Sequence, residues 1–354
     1  MTDTKSDRVI ESTTFQDFEP RTVVFATNLQ SQYVISYLAQ QKYLAGVIVP
    51  DPSELGEQAI EASHLVTQLQ QAGIPFQCCC KEKLSIIHQQ LTSWQVNLGV
   101  IVGFPHILPK ELLHFFTNNI FNFHAAKLPE YPGPRPLYWQ IRNKEKETAL
   151  VLHRVEQQVD SGNIVAQRLV PINELDTLAS LTNRVAQETP SLLAELIDAL
   201  VMTSKPPNDD EQNRVNDIAQ EHKGLPKQRV GVDYARRPTS QDYIIDMNSM
   251  TAPEISAMSR AGNGLPSSAL IYIKNMPVNV MQASPVNYPT YGTKPGTIVY
   301  IGEPEGLIVC VKDGAIRLDI LANAEGIYSG LVFAEYFHLD AGEALSSVSS
   351  SLLK

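Results

Sequence analysis

Asn122-Phe-His124-Ala-Ala-Lys-Leu-Pro129-Glu-Tyr-Pro-Gly133, answered further on by Asp160-Ser-Gly162-Asn-Ile164, is the stretch around which this chain organises. The apolar run Asn119-Ile-Phe-Asn-Phe-His124 reads as a short strand whose end delivers both polar side chains. The elements before it alternate. Strands over Arg21–Phe25, Leu44–Val49, Ile74–Cys80 and Leu98–Val102 are separated by helices over Gln32–Gln41, Gly56–Ala72 and Leu84–Gln95. That alternation predicts an α/β fold with a doubly wound, mostly parallel sheet, whose ligands lie beyond the carboxyl ends of the strands. A further strand over Thr148–Val155 leads to the aspartate loop, and one helix over Thr177–Met202 closes the unit.

An amide, an imidazole and a carboxylate can together move an acyl group from one nitrogen to another. The attacking amine must be neutral and must shed a proton, which an imidazole of ordinary pKa takes near neutral pH. A carboxamide N–H donates to the tetrahedral oxyanion, and a carboxylate fixes the imidazole and stabilises its cation. Taken alone, an Asn-x-His pair on an apolar strand reads as readily as a satisfied structural histidine, and Asp160 as a turn cap beside Gly162. The first strand runs into Phe25-Ala-Thr-Asn-Leu-Gln without glycine, so no nicotinamide-binding fingerprint follows it.

The run from about Leu98 to Ile172 resembles the core of the folate-dependent formyltransferases, the family that acts on methionyl-tRNA, glycinamide ribonucleotide and sugar amines. The resemblance rests on Val100-Ile-Val-Gly103-Phe-Pro-His-Ile-Leu108-Pro109, then Asn122-Phe-His124, Leu128-Pro129, Gly133, Trp139 and Asp160-Ser-Gly162-Asn-Ile164. It implies Asn122, His124 and Asp160 as catalytic residues and 10-formyltetrahydrofolate as co-substrate, with no metal and no nicotinamide. It also implies a pterin site between Gly103-Phe104-Pro105-His106-Ile107 and the loop from Val155 to Val159, with Ala126, Lys127, Leu128 and Pro129 in contact. A flat, polar-edged pterin needs an apolar slot rimmed by backbone groups. Ala126 and Lys127 depart from the family's usual tetrapeptide. The acceptor side falls to Arg135, and to Tyr234 in the Tyr-Ala-Arg-Arg stretch with Arg236 and Arg237, where surface roles are equally open. His153 reads as structural.

The remaining organisation follows from composition. The 354 residues are 43% hydrophobic and 19% charged, those of an ordinary soluble protein. The polar, acidic first twenty residues lack a signal-peptide core, so a cytoplasmic protein without membrane contact is the expectation. Cys78, Cys79 and Cys80 are consecutive, without the spacing of a zinc site or disulfide. Residues 1–20 read as a flexible lead, 21–203 as the catalytic unit, and 204–248 as a polar linker with a return strand over Val230–Tyr234. Residues 249–345 form a small C-terminal β-barrel-like domain, and 346–354 a tail. The C-terminal domain has one helix, Thr251–Ala261, and strands over Ala269–Ile273, Val278–Gln282, Gly296–Ile301, Gly306–Val311 and Ala315–Leu321. It is similar to the C-terminal domain of tRNA and some sugar formyltransferases, Lys294-Pro-Gly-Thr-Ile298 included.

The net charge is −10, and Gly46 to Cys80 carries Asp51, Glu54, Glu57 and Glu61 without any Lys or Arg. The C-terminal domain has more acidic than basic residues. Such a chain lacks the basic face that grips a polyanion, so a small-molecule primary amine is the expected acceptor. It would be a nucleotide-linked amino sugar or an aminoacyl or peptidyl biosynthetic intermediate. Methionyl-tRNA formylation is the alternative and formyltetrahydrofolate hydrolysis the second. No pattern fixes an oligomeric state.

Overall fold

The computed structural model describes residues 18–203, 234–263 and 268–345. Its first unit is a seven-stranded sheet in the order β3-β2-β1-β4-β5-β6-β7. The strands are β1 (Thr22–Ala26), β2 (Leu44–Pro50), β3 (Phe76–Cys79), β4 (Leu98–Val102), β5 (Ile120–His124), β6 (Glu147–Arg154) and β7 (Ile164–Pro171). β1 to β5 are parallel, while β6 is antiparallel to both β5 and β7. β1 and β4 are buried along their whole length, which is why they read as unbroken apolar runs rather than alternating ones.

Two cores flank the sheet. Val24, Val47, Val100, Phe121 and Leu152 face the first, covered by α1 (Gln32–Gln40), α2 (Ala59–Gln71), α5 (Pro136–Arg142), α6 (Leu178–Gln187) and α7 (Thr189–Thr203). Val23, Phe25, Ile48, Ile101 and Ile120 face the second, against α3 (His88–Ser93) and α4 (Lys110–Phe116). The alternation assigns Asn122 and His124 to the second face, because Phe121 and Phe123 belong to the first core.

Several sequence-based bounds shift for local reasons. The helices expected over Gly56–Ala72 and Leu84–Gln95 begin as 3-10 turns, at Gly56–Gln58 and Lys81–Ile86. The single helix expected over Thr177–Met202 is two. Thr177 caps α6 through a capping box with Ser180, and the chain restarts as α7, with Pro190 at its second residue. Proline has no N–H to continue the preceding helix but suits a first turn. The strand β7 and the helix α4 were not anticipated. The linker from Ser204 and most of the Val230–Tyr234 return strand, like the 1–17 lead and the 346–354 tail, lie outside the described residues.

The C-terminal region begins with α8 (Ala252–Gly262), capped by Thr251 and Glu254. The strands β8 (Leu270–Ile273), β9 (Met276–Val286), β10 (Ile298–Gly302), β11 (Gly306–Val311) and β12 (Gly314–Asn323) follow in the antiparallel order β10-β11-β12-β9-β8. β13 (Gly326–Ser329) adds to the far half of β12, beyond a register shift between Leu318 and Leu321. α9 (Gly330–Tyr336) packs Phe333 and Ala334 into a separate core with Ile255, Val280 and Ile316. Ala261 of α8 instead reaches the first unit's core, and Arg260 Nη1 donates to the Asp176 carbonyl at 2.9 Å. Among the described residues no helix is long and apolar enough to cross a membrane.

Gly99 shows how tightly β4 and β5 are covered: a Cβ there would lie 2.9 Å from Ile120 Cγ1 and from the Phe116 ring. Gly99→Ala is expected to destabilise the fold by about 1–3 kcal/mol through overpacking, read as a lower thermal unfolding midpoint. An unchanged midpoint would show that this layer has slack.

Candidate active site

The site is built where the sheet changes direction. Antiparallel pairing places Asn122 of β5 directly opposite His153 of β6, and His124 opposite Val151. Asn122 and His124 are two residues apart and therefore share a face. The expectation that the strand end delivers both groups is thus corrected in part. His124 does stand at the end of β5, but Asn122 sits within the strand, on the sheet face. Its Nδ2 lies 3.0 Å from His153 Nε2, and His153 Nδ1 lies 2.9 Å from the Arg154 carbonyl.

Asp160 arrives on the loop after β6 in a left-handed conformation, φ 55°, which Asp tolerates better than most residues. Its Oδ2 accepts the Gly133 N–H at 2.9 Å. Its Oδ1 lies 3.7 Å from His124 Nδ1 and 3.6 Å from His153 Nε2, and all three side chains are at most 7% exposed. These ring distances exceed a direct hydrogen bond but leave strong Coulomb coupling in a buried site. The two glycines of the motif have steric tasks. A Cβ on Gly162 would overlap the Arg154 carbonyl oxygen, and one on Gly133, φ 114°, would meet the Tyr234 ring at 2.8 Å. The missing side chain at Gly162 lets the Asp160 loop close over β6, and the one at Gly133 lets the Tyr234 segment pack on the loop after β5.

His124 Nε2 lies 3.0 Å from the Tyr131 carbonyl. A carbonyl only accepts, so that nitrogen carries a proton. The free lone pair of the neutral ring is then on Nδ1, facing Asp160. A proton taken there leaves an imidazolium held between a carbonyl and a carboxylate. Burial pushes the His124 pKa below its ordinary value; the Asp160 charge and the Tyr131 carbonyl oppose that, and neighbouring His153 adds to it. Asp160 is itself below the usual carboxylate range. Burial raises it, but the adjoining His153 and His124 rings and the hydrogen bond from the Gly133 N–H together outweigh that.

The loop after β4 leaves the sheet beside the point where strand order reverses, between β1 and β4. Gly103 is exposed with φ 65°. The Phe104 ring stacks edge-on to Phe25 and to His106, both at 5.5 Å. Ile107 is 70% exposed and Val159 is 47% exposed, while Pro105 and Val155 are half-buried. Thr27 Oγ1, Asn28 Oδ1 and His106 Nε2 are buried without a protein hydrogen-bond partner among the described residues. Apolar walls with unsatisfied polar edges fit a flat heterocycle. Of the segment after His124, Ala126 and Leu128 are buried and Pro129 is half-buried. Lys127 pairs with Glu147 at 2.5 Å.

The expected acceptor residues come together. Ala235 N donates to the Pro132 carbonyl and Arg135 N to the Ala235 carbonyl, at 2.7 and 3.0 Å. This pairing lays Tyr234 over Gly133 and leaves Tyr234 60% exposed. Arg236 is committed to the fold. It caps the Trp139 ring at 4.9 Å, forms two bonds to Asp242 at 2.7 and 2.8 Å, and its carbonyl accepts from Trp139 Nε1. Two features escaped the sequence reading: the pairing of His153 with Asn122, and a cluster of Glu54, Cys80 and Glu82 whose ligand atoms lie within 4.8 Å of one another. The first needed the strand direction. The second joins Glu54, after β2, to the segment after β3.

A family model described as formyl transferase matches residues 21–197, and one described as formyl transferase, C-terminal domain, matches residues 238–331. The chain is 25% identical over 302 residues to the methionyl-tRNA formyltransferase of Prochlorococcus marinus, covering 81% of this chain and 87% of that protein. It is 26% identical over 301 residues to that of Acidithiobacillus ferrooxidans, covering 84% and 88%. Among solved structures, HypX from Aquifex aeolicus aligns over 94% of this chain and 50% of its own length, at a TM-score of 0.59 and 14% identity. WlaRD, a sugar 3N-formyl transferase, aligns over 84% and 97%, at 0.57 and 20%. At these identities the two structures speak for the fold.

The depressed pKa of His124 fixes a sign for stability. The unfolded histidine takes its proton near pH 6.5, before the folded one does, so its contribution is present above about pH 6.5 and lost as the pH falls below it. Urea unfolding at stepped pH is expected to show that decline in the native protein and a shallower one in His124→Gln. Equal slopes would remove His124 from the linkage.

Proposed function

The chain belongs to the formyl transferase family, and from that premise we propose that it moves the formyl group of 10-formyltetrahydrofolate onto a primary amine of a small-molecule acceptor. A nucleotide-linked amino sugar, or an aminoacyl or peptidyl biosynthetic intermediate, has the required chemistry. The observation that carries the reading is the convergence of Asn122, His124 and Asp160 on one buried sheet face.

In this reading the neutral amine attacks the formyl carbon, and a C–N bond forms as the carbonyl becomes an oxyanion. Asn122 donates an N–H to that oxyanion. His124 takes the amine proton, and the Asp160 carboxylate stabilises the resulting imidazolium. Collapse of the intermediate breaks the bond to the folate nitrogen, which leaves with a proton returned to it as tetrahydrofolate. The folate lies against the Gly103–Ile107 loop and the Val155–Val159 loop, with Phe104 as an apolar wall and His106 at its edge. The acceptor enters between Arg135 and Tyr234.

Charge pairing favours a small acceptor. Lys127, Lys144 and Arg236 lie on segments around the site, and each is matched to a carboxylate, respectively Glu147, Glu254 and Asp242. Cations matched in this way add little to counterion release from a polyanion. The methionyl-tRNA reading is kept because relatives of that name align with both units.

Full-length protein incubated with 10-formyltetrahydrofolate and, separately, amino-sugar nucleotides, aminoacyl thioesters, charged initiator tRNA or buffer alone separates the readings by mass spectrometry. Formylation of a small amine is expected. Formylation of the tRNA alone, or formate release independent of any amine, would replace the small-acceptor reading.

Two kinetic outcomes are expected with the acceptor so found. His124→Ala lowers turnover by orders of magnitude with folate affinity nearly unchanged, and a native-like rate would exclude the imidazole as base. Turnover in the native enzyme falls on an acid limb below about pH 6.5, since His124 must be neutral. Asp160→Asn moves that limb to lower pH, because the charge that raises the His124 pKa is gone, while the plateau drops.

A further inference from the structure

His153 is a buried imidazole for which the transfer chemistry above has no task, yet it touches the oxyanion donor directly. Its side chain is 3% exposed. Its Nδ1 lies 2.9 Å from the Arg154 carbonyl, which can only accept, so the proton of the neutral ring sits on Nδ1. The lone pair is then on Nε2, 3.0 Å from Asn122 Nδ2. The same Nε2 is 3.6 Å from Asp160 Oδ1, beyond hydrogen-bond reach.

We propose that His153 is a positioning residue for formyl transfer, whose Nε2 lone pair holds one N–H of Asn122 and fixes the orientation of its carboxamide. The proposal rests on the reading that Asn122 donates to the oxyanion. Turning the carboxamide over would set its oxygen against the Nε2 lone pair, so the lock has one direction. It leaves the second N–H of Asn122 for the developing charge.

The lock is supported by the backbone. Register sets His153 opposite Asn122 across the β5–β6 ladder. The Arg154 carbonyl that selects the tautomer is itself enclosed: Gly162 packs on it with no room for a Cβ, and Arg154 N donates to the Asn163 carbonyl at 2.9 Å. A chain of contacts therefore runs from Gly162 through Arg154 and His153 to Asn122.

The test uses the full chain and two kinds of readout. Long-range proton–nitrogen NMR of histidine-labelled protein without folate, with the ring assigned by its loss in His153→Leu, is expected to report the neutral Nδ1–H tautomer. An Nε2–H tautomer would overturn the lock whether or not any amine is formylated. In the transfer assay His153→Leu is expected to lose about ten- to a hundredfold in turnover, less than the roughly 10²–10³ for removing a donor outright. The Michaelis constant for 10-formyltetrahydrofolate should hold. His153→Gln, which restores a carbonyl acceptor, should recover most of the rate. In an Asn122→Ala background His153→Leu should cost nothing further. A full additional loss there, with both variants folded by circular dichroism, would show that His153 acts by another route.

Discussion

The reversal of strand direction between β5 and β6 is the constraint on which the site depends. Five parallel strands deliver their residues in one direction, and a sixth parallel strand would have needed a crossover to reach β5's free edge. The antiparallel β6 instead lies in register with β5, so Asn122 and His153 face each other across one ladder rung. The loop that leaves β6 is then close enough for Asp160 to reach both imidazoles. A carboxylate at that depth is costly to bury. It is tolerated because the Gly133 N–H and two rings surround it.

Much of the first unit was legible because its strands are short apolar runs bounded by polar helices, a pattern that burial on both faces imposes. The α/β class, the succession of the first five strands along the chain and the nearness of Asn122, His124 and Asp160 followed from it and from the motif's resemblance, whereas the sheet order β3-β2-β1-β4-β5 did not. The direction of β6 was not legible. Thr148–Val155 reads the same whether it runs parallel or antiparallel, and β7, with its exposed Gln167, Arg168 and Leu169, lacks the apolar density that marked the others. His153 was therefore read as structural, because its partner lies across a ladder whose existence the sequence does not state. The break at Pro190 was visible in principle, since proline within a helical run signals an end.

Charge was read correctly in sum and incompletely in place. Lys127, three residues after His124, is taken by Glu147 at the start of β6. Arg236 stood in a stretch associated with an acceptor, yet it is held by Asp242, and Trp139 lies beneath it. Glu147 lies 20 residues from Lys127 and Trp139 lies 97 from Arg236, whereas Asp242 is only six residues beyond Arg236. Composition could show that carboxylates outnumber cations, whereas topology decides which cations they silence.

The short segment at Tyr234–Arg236 has a consequence for how the molecule is assembled. It lines Gly133 and Arg135 through two backbone hydrogen bonds, and its continuation, through Asp242, touches Tyr138 and Arg142. The wall beside Gly133 and Arg135 is thus contributed by chain that follows the whole sheet. A polypeptide released after α7 would hold its imidazole and carboxylates but present an unfinished threshold. The sheet supplies the buried polar groups, and a segment well downstream of α7 completes the rim beside them.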